Sequence, residues 1–183
     1  MHLKVGITYN LKKELVGDLP EDYYAEFDDE ETVDTRAEAI DLSGCKVVKI
    51  EADEDAYSRL KKYKPHVIFN IAEGLRGESR ESYIPALLEM MGIPYTGSGP
   101  LTLIIALNKA LTHQLLHING VPSPTFQTYT KIDRILDEKL TFPLVVKPLS
   151  EGSSKGVHKN SLVKDEASLK KQVSFILKTY NQL

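Results

Sequence analysis

Residues 145–157 of this chain read Val-Val-Lys-Pro-Leu-Ser-Glu-Gly-Ser-Ser-Lys-Gly-Val. An apolar run that is typical of a buried strand leads here into a small polar loop between two glycines, Gly152 and Gly156. A glycine has no Cβ, so such a loop can point its backbone amides at an anion, and Ser153 and Ser154 add hydroxyl donors. Lys147, near the end of the run, supplies a charge of the kind that neutralises phosphate.

The same spacing is also typical of a flexible turn between two strands with a lysine at the surface. From the residues alone, the two interpretations are equally good. The P-loop pattern GxxxxGK[ST] does not fit this stretch, so a phosphate would have to be bound in another way.

Upstream of this loop, strand-like and helix-like segments alternate over about the first hundred residues. The patterns predict strands at 3–8, 46–50, 66–70 and 92–96, and helices that begin near 30, 55 and 81. Asp28 or Asp29 can cap the first helix, because an aspartate oxygen accepts the free amide hydrogens of a first turn. This alternation predicts a parallel sheet with helices on both faces.

The glycine-rich stretch at 97–100 predicts a boundary between two domains, residues 1–99 and residues 100–183. The second domain is predicted to hold helices at 101–106, 109–118, 132–138 and 165–180. Strands are predicted in it at 125–129 and 142–148.

Composition and charge limit the class of protein. Hydrophobic residues make up 42% and charged residues 27% of the chain, which is ordinary for a soluble protein. No apolar run approaches the about 20 residues of a membrane span, and we expect a cytoplasmic protein. Residues 61–183 hold 16 basic and 10 acidic residues, an excess that suits a phosphate ligand but is too diffuse for nucleic acid. His113 and His117 lie one helical turn apart, but we interpret them as ordinary helix residues and predict no metal site.

Residues 147–157 resemble the phosphate-covering loop of D-alanine–D-alanine ligases, a family of the ATP-grasp superfamily. Other segments resemble that family's motifs in the same order. Residues 73–78 (EGLRGE) are similar to its HGxxGE turn, and 87–98 (LLEMMGIPYTGS) to its LLELLGIPYTGS run. Residues 106–112 are similar to its DK helix start, and 120–124 to its GIPxP segment.

The resemblance implies a fold and an activity. The fold would be α/β: a Rossmann-like (pre-ATP-grasp) parallel sheet with helices on both faces, followed by an incomplete ATP-grasp α+β subdomain. The activity would be an ATP-dependent carboxylate–amine ligation through an acyl phosphate, as in peptidoglycan synthesis for the cell wall. Small amino acids would be the substrates, and ATP and Mg²⁺ the cofactors. A homodimer through the N-terminal domain is also an expectation from the family.

Roles for individual residues also follow from the resemblance. Lys109 and Lys147 would contact the α- and β-phosphates, while the loop closes over the phosphates and excludes water. Ser153 and Glu78 would be catalytic, and Glu73 and Gly74 would face the substrate. The cofactor-binding residues would be Lys109, Lys147, Glu151, Gly152, Ser153, Ser154 and Gly156.

The chain also departs from the family pattern. Glu73 stands where the family has a histidine near the bound amino acid, so a carboxylate there would repel a substrate carboxylate or pair with its ammonium group. The family's N-terminal GGxSxExxVS segment has no match, and Glu30 or Glu31 is the nearest substitute for its glutamate. The magnesium ligands lie further along in the family, so we expect these 183 residues to be inactive alone. Ligation of other amino acids or peptides, and a non-catalytic protein that binds a nucleotide or a partner, remain alternatives.

Overall fold

A computed structural model describes residues 2–180, which form two compact units. The first unit contains residues up to 14 together with 26–104, and the second contains 15–25 together with 105 onwards. In chain order the elements are β1 (Lys4–Tyr9), α1 (Glu30–Leu42), β2 (Lys46–Glu51), α2 (Ala56–Tyr63), β3 (Val67–Asn70), α3 (Tyr83–Met91), α4 (Pro100–Leu107), α5 (Lys109–Ile118), β4 (Leu144–Val145), β5 (Leu162–Val163) and α6 (Glu166–Thr179).

The first unit is a parallel sheet with strand order β2-β1-β3. Side chains alternate between its two faces, as strands require. On one face, Ile7 packs against Val33 of α1. On the other face, Ile68 packs with Leu60 of α2 and Leu88 of α3. The predicted parallel sheet with helices on both faces is therefore confirmed.

Local chemistry fixes where the helices begin. Asp29 caps α1, since its Oδ1 accepts a hydrogen bond from the amide of Thr32 at 2.8 Å. Asp165 and Ser168 form a reciprocal capping box at the start of α6. Both helices lie where their sequence patterns predicted them.

The second unit contains α5, α6 and a two-stranded antiparallel sheet of β4 and β5. Val163 of β5 and Leu169 and Val173 of α6 form its buried cluster. The unit also includes residues 15–25, a segment with three acidic residues (Asp18, Glu21 and Asp22) and no basic one. The sequence predicted a single boundary at 99–100, whereas the structure divides the chain within α4 and around this early segment.

Several predicted elements are wrong. Residues 92–96 form no strand and contribute one bridge, between Tyr95 and Ile68. Residues 125–129 and 132–138 are irregular, because the side chain of Gln127 bonds the carbonyl of Ile135 and the amide of Asp137. The strand predicted at 142–148 is only two residues long.

Candidate functional site

The glycine-bracketed loop lies in the second unit and has a left-handed backbone. Ser153, Ser154 and Gly156 have φ values of 45°, 61° and 74°. A Cβ at Gly156 would lie 2.4 Å from Cγ of Pro148, so this position has no room for a side chain. The loop therefore has a defined shape and packs on Pro148 of the segment that precedes it, which a freely flexible turn would not do.

Lys109 lies against this loop. Asn108 caps α5 by accepting a hydrogen bond from Leu111, which places Lys109 at the first position of the helix. The backbone amide of Lys109 donates to the carbonyl of Leu149 at 3.1 Å. Its ammonium nitrogen Nζ donates to the carbonyl of Glu151 at 2.5 Å. The structure thus brings together Lys109 and the start of the loop, which are 42 residues apart.

The remaining loop residues differ in what they contact. Lys147, Ser153 and Ser154 are exposed, and the side chain of Lys147 forms no hydrogen bond or ion pair with any residue in the described range 2–180. Within residues 2–180, the amides of Ser153 and Ser154 donate to no described acceptor. Lys155 instead forms an ion pair with Glu151 at 2.9 Å. A phosphate could therefore be bound by the two serine amides, their hydroxyls and the exposed lysine.

A second group of predicted residues lies in the first unit, at the carboxyl ends of β1 and β3. Asn10 follows β1 and is buried, and its Oδ1 accepts hydrogen bonds from the amides of Glu73 at 3.0 Å and Gly74 at 2.8 Å. A Cβ on Gly74 would lie 2.3 Å from the carbonyl oxygen of Arg80, so only glycine fits. The carboxyl edge of a parallel sheet is where ligands bind in open α/β folds.

Glu73 is held there in a partly desolvated position. Burial, followed by the nearby charges of Glu81, Glu26 and Asp28, raises the pKa of Glu73 to about 7, although Arg80 acts in the opposite direction. No described residue donates a hydrogen bond to its carboxylate. The carboxyl group therefore changes charge near neutral pH, which a residue close to a substrate could use.

Arg80 and Glu26 form a buried ion pair in the same unit. One nitrogen of Arg80 donates to both carboxylate oxygens of Glu26, at 2.8 and 2.9 Å. Their side chains are 9% and 3% exposed. Glu26 is thus an N-terminal carboxylate close enough to Glu73 to raise the pKa of Glu73. Glu30 and Glu31, the predicted substitutes for the family's N-terminal glutamate, are exposed in the first turn of α1.

Glu78 is exposed and forms no hydrogen bond or ion pair with Glu73 or with any other residue that the structure describes. His113 stacks on Phe126, and His117 bonds the carbonyl of Ser123. Among residues 2–180, no three His, Cys, Asp or Glu side chains cluster closely enough to bind a metal ion.

Only weak local patterns point to the residues that organise these two groups. Asn10 follows a buried strand directly, a position from which an amide can reach the sheet edge. Arg80, Glu26 and Asp22 carried no signal above that of surface charges. Their partners lie 54 to 158 residues away in the chain, so only the fold reveals them.

Comparison with known proteins identifies relatives. No protein-family model matches the chain. A D-alanine–D-alanine ligase of Sphingopyxis alaskensis is 37% identical over 138 residues, which are 75% of this chain and 43% of the ligase. A second such ligase, of Novosphingobium aromaticivorans, is 40% identical over 66% of this chain and 38% of its own length. The uncharacterized protein y4sG of Sinorhizobium fredii is 34% identical over 81% of this chain and 46% of its own length.

Solved structures share the fold. The D-alanine–D-alanine ligase of Bacillus anthracis covers 96% of this chain with a TM-score of 0.69 and 26% identity. A structure of that ligase complexed with ATP gives a TM-score of 0.66 at 23% identity. This chain covers 54% and 55% of those two chains.

Fold and sequence together define a protein of the ATP-grasp class. More narrowly, the chain is a homologue of the D-alanine–D-alanine ligase family. It spans less than half the length of the curated relatives it matches. Over residues 2–180, none of its helices is long and apolar enough to cross a membrane.

Proposed function

We propose that this chain forms the phosphate-binding part of an ATP-dependent carboxylate–amine ligase of the D-alanine–D-alanine type. The observation that carries this proposal is the contact between Lys109 and the glycine-bracketed loop. A lysine at a helix start, beside a loop whose Ser153 and Ser154 amides donate to no described acceptor, favours a bound anion. The homologous ligase solved with ATP supports a nucleotide as the source of that anion.

The residues of this chain would bind and shield the phosphates. Lys147 and Lys109 would neutralise phosphate charge, and the amides of Ser153 and Ser154 would donate to phosphate oxygens. ATP would supply the phosphoryl group that activates a substrate carboxylate as an acyl phosphate. Glu151, Gly152 and Gly156 would hold the loop over the phosphates and keep water out, so that an amine can attack first. We place this activity in the cytoplasm, where ATP is available.

The substrate side of the proposal rests on Glu73 and Gly74. Glu73 lies at the carboxyl edge of the sheet beside Asn10, in the place of a family histidine. A carboxylate there favours a substrate that presents an ammonium group. Because the family has a histidine at this position, its replacement by Glu73 supports the second candidate, a ligase for amino acids or peptides other than D-alanine. Catalytic roles for Ser153 and Glu78, and a homodimer through the N-terminal domain, are part of the same proposal.

Calorimetric titration with ATP tests the proposal. Lys147→Ala is the most direct variant, because this exposed side chain forms no hydrogen bond or ion pair among the described residues and its loss should not disturb the fold. We expect ATP affinity to fall by about tenfold or more, since hydrogen bonds to a charged group are lost. Lys171→Ala, an exposed lysine of α6, is the matched control and should leave affinity unchanged. Equal affinity in all three proteins would contradict the proposal.

A further inference from the structure

Residues 15–25 belong to the second unit, whereas the residues on either side of them in sequence belong to the first unit. Residues 20–24 of this segment, here called the strap, contact the glycine-bracketed loop directly. The amide of Gly156 donates a hydrogen bond to Oδ2 of Asp22 at 2.7 Å. The sequence pattern predicted that the amide of Gly156 would donate to a bound anion. In the structure, this amide donates to the carboxylate of Asp22 in the strap.

Asp22 is held in place from a second side. The hydroxyl of Tyr180 donates to both carboxylate oxygens of Asp22, at 2.8 and 3.0 Å. Tyr180 is 5% exposed. Burial first, and then the hydrogen bond to Asp22, raise the pKa of Tyr180, so the hydroxyl keeps its proton. His158 adds a nearby nitrogen, with Nε2 at 3.6 Å from Oδ2.

A second contact holds the residue that precedes Gly156. The ammonium of Lys155 lies over the ring of Tyr23, at 5.0 Å from its centroid. The same ammonium pairs with Glu151, and both side chains are nearly buried, at 11% and 12% exposure. The strap therefore holds the loop at two successive residues, 155 and 156, but touches neither Ser153 nor Ser154 among the described contacts.

We propose that Asp22 is a positioning residue, which pins the Gly156 end of the loop so that its Ser153–Ser154 amides stay free for phosphate. A loop fixed before binding loses less conformational freedom when the ligand arrives, so its affinity is higher. The fastening itself stands on the contacts above. Its effect on nucleotide affinity rests on the proposed function.

Hydrogen–deuterium exchange of the full chain, followed amide by amide, tests the fastening without any ligand. In Asp22→Ala, the amide of Gly156 should exchange about tenfold faster or more, because it loses a charge-assisted hydrogen bond. Asp22→Asn keeps an acceptor oxygen and should lie between the wild type and Asp22→Ala. Glu21→Ala, exposed in the same segment, is the control and should match the wild type. Unchanged exchange at Gly156 in Asp22→Ala would overturn the proposal.

Titration of the same proteins with ATP tests the consequence. Asp22→Ala should bind ATP several-fold more weakly, and Asp22→Asn should recover part of the loss, which a general effect on folding would not produce. Tighter binding in Asp22→Ala would overturn the positioning role, because Asp22 would then compete with phosphate. If ATP binds to none of these proteins while exchange responds as expected, the fastening stands and the proposed function fails.

Discussion

At the scale of single residues, the burial of Glu73 has a measurable consequence for stability. In the folded chain, the pKa of this carboxyl is raised from 4.5 to about 7, so the folded state keeps a proton that the unfolded state releases. The protonated carboxyl therefore contributes to the free energy of unfolding. This contribution is fully present below pH 4.5 and is lost as the pH rises through about 7.

Glu73→Gln removes this titration. Below the unfolded pKa of 4.5, the variant and the wild type should have similar free energies of unfolding. As the pH rises from about 5 to about 8, the variant should become the more stable of the two, because only the wild type must bury a charge. Urea unfolding at several pH values measures this difference, with the exposed Glu54→Gln as control. A difference that is independent of pH would contradict the assignment.

The buried pair of Arg80 and Glu26 gives a second prediction. Arg80→Ala removes the cation that pairs with the buried Glu26 carboxylate, and it should lower the free energy of unfolding by about 3–5 kcal/mol. Arg59→Ala breaks a more exposed pair with Asp53 and should cost about 1 kcal/mol or less. Replacing both partners, Glu26→Leu with Arg80→Met, should recover most of the loss. Similar losses for Arg80→Ala and Arg59→Ala would show that the Glu26 carboxylate is not buried as described.

At the scale of elements, the shape of the loop depends on Gly156. Gly156→Ala should destabilise the chain for two reasons, its left-handed φ of 74° and the contact of the new Cβ with Pro148. Gly120→Ala is the matched control, since its φ is 70° but nothing lies within 4 Å of the added atom. We expect about 1 kcal/mol for Gly120→Ala and a further loss of about 1–3 kcal/mol for Gly156→Ala, measured by chemical unfolding. Equal losses would mean that the loop does not pack on Pro148.

Elements were predictable from sequence where the local pattern itself decides the structure. The three paired strands of the first unit are apolar runs. The starts of α1 and α6 are marked in the sequence by the capping residues Asp29 and Asp165. Residues 125–129 have strand-like composition but find no backbone partner, and Gln127 bonds the neighbouring segment instead. Strand β5 is too short, at two residues, to produce a pattern at all.

The candidate site follows the same rule. The glycine-bracketed loop and Lys109 were predictable because their residue types and order resemble a known motif. The links from Asn10 to Gly74 and from Asp22 to Gly156 were not, since they join residues 64 and 134 positions apart. Such pairs depend on where the chain returns to itself, and no local pattern contains that information.

At the scale of the whole molecule, the two units carry different parts of the proposed chemistry. The first places Asn10, Glu73 and Gly74 at the carboxyl edge of a parallel sheet. The second places Lys109 beside a loop with two unengaged amides. The proposed ligase activity depends most on the second unit, because a ligase that cannot hold the phosphates of ATP cannot activate a carboxylate.

The amide signals of Ser153 and Ser154 in a nuclear magnetic resonance titration test this claim most directly. Titrations with ATP, ADP and adenosine separate binding of the phosphates from binding of the base. We predict that both amides shift with ATP and with ADP, and that adenosine leaves them unchanged. Amide signals that respond to none of the three, or that respond equally to adenosine, would contradict the account.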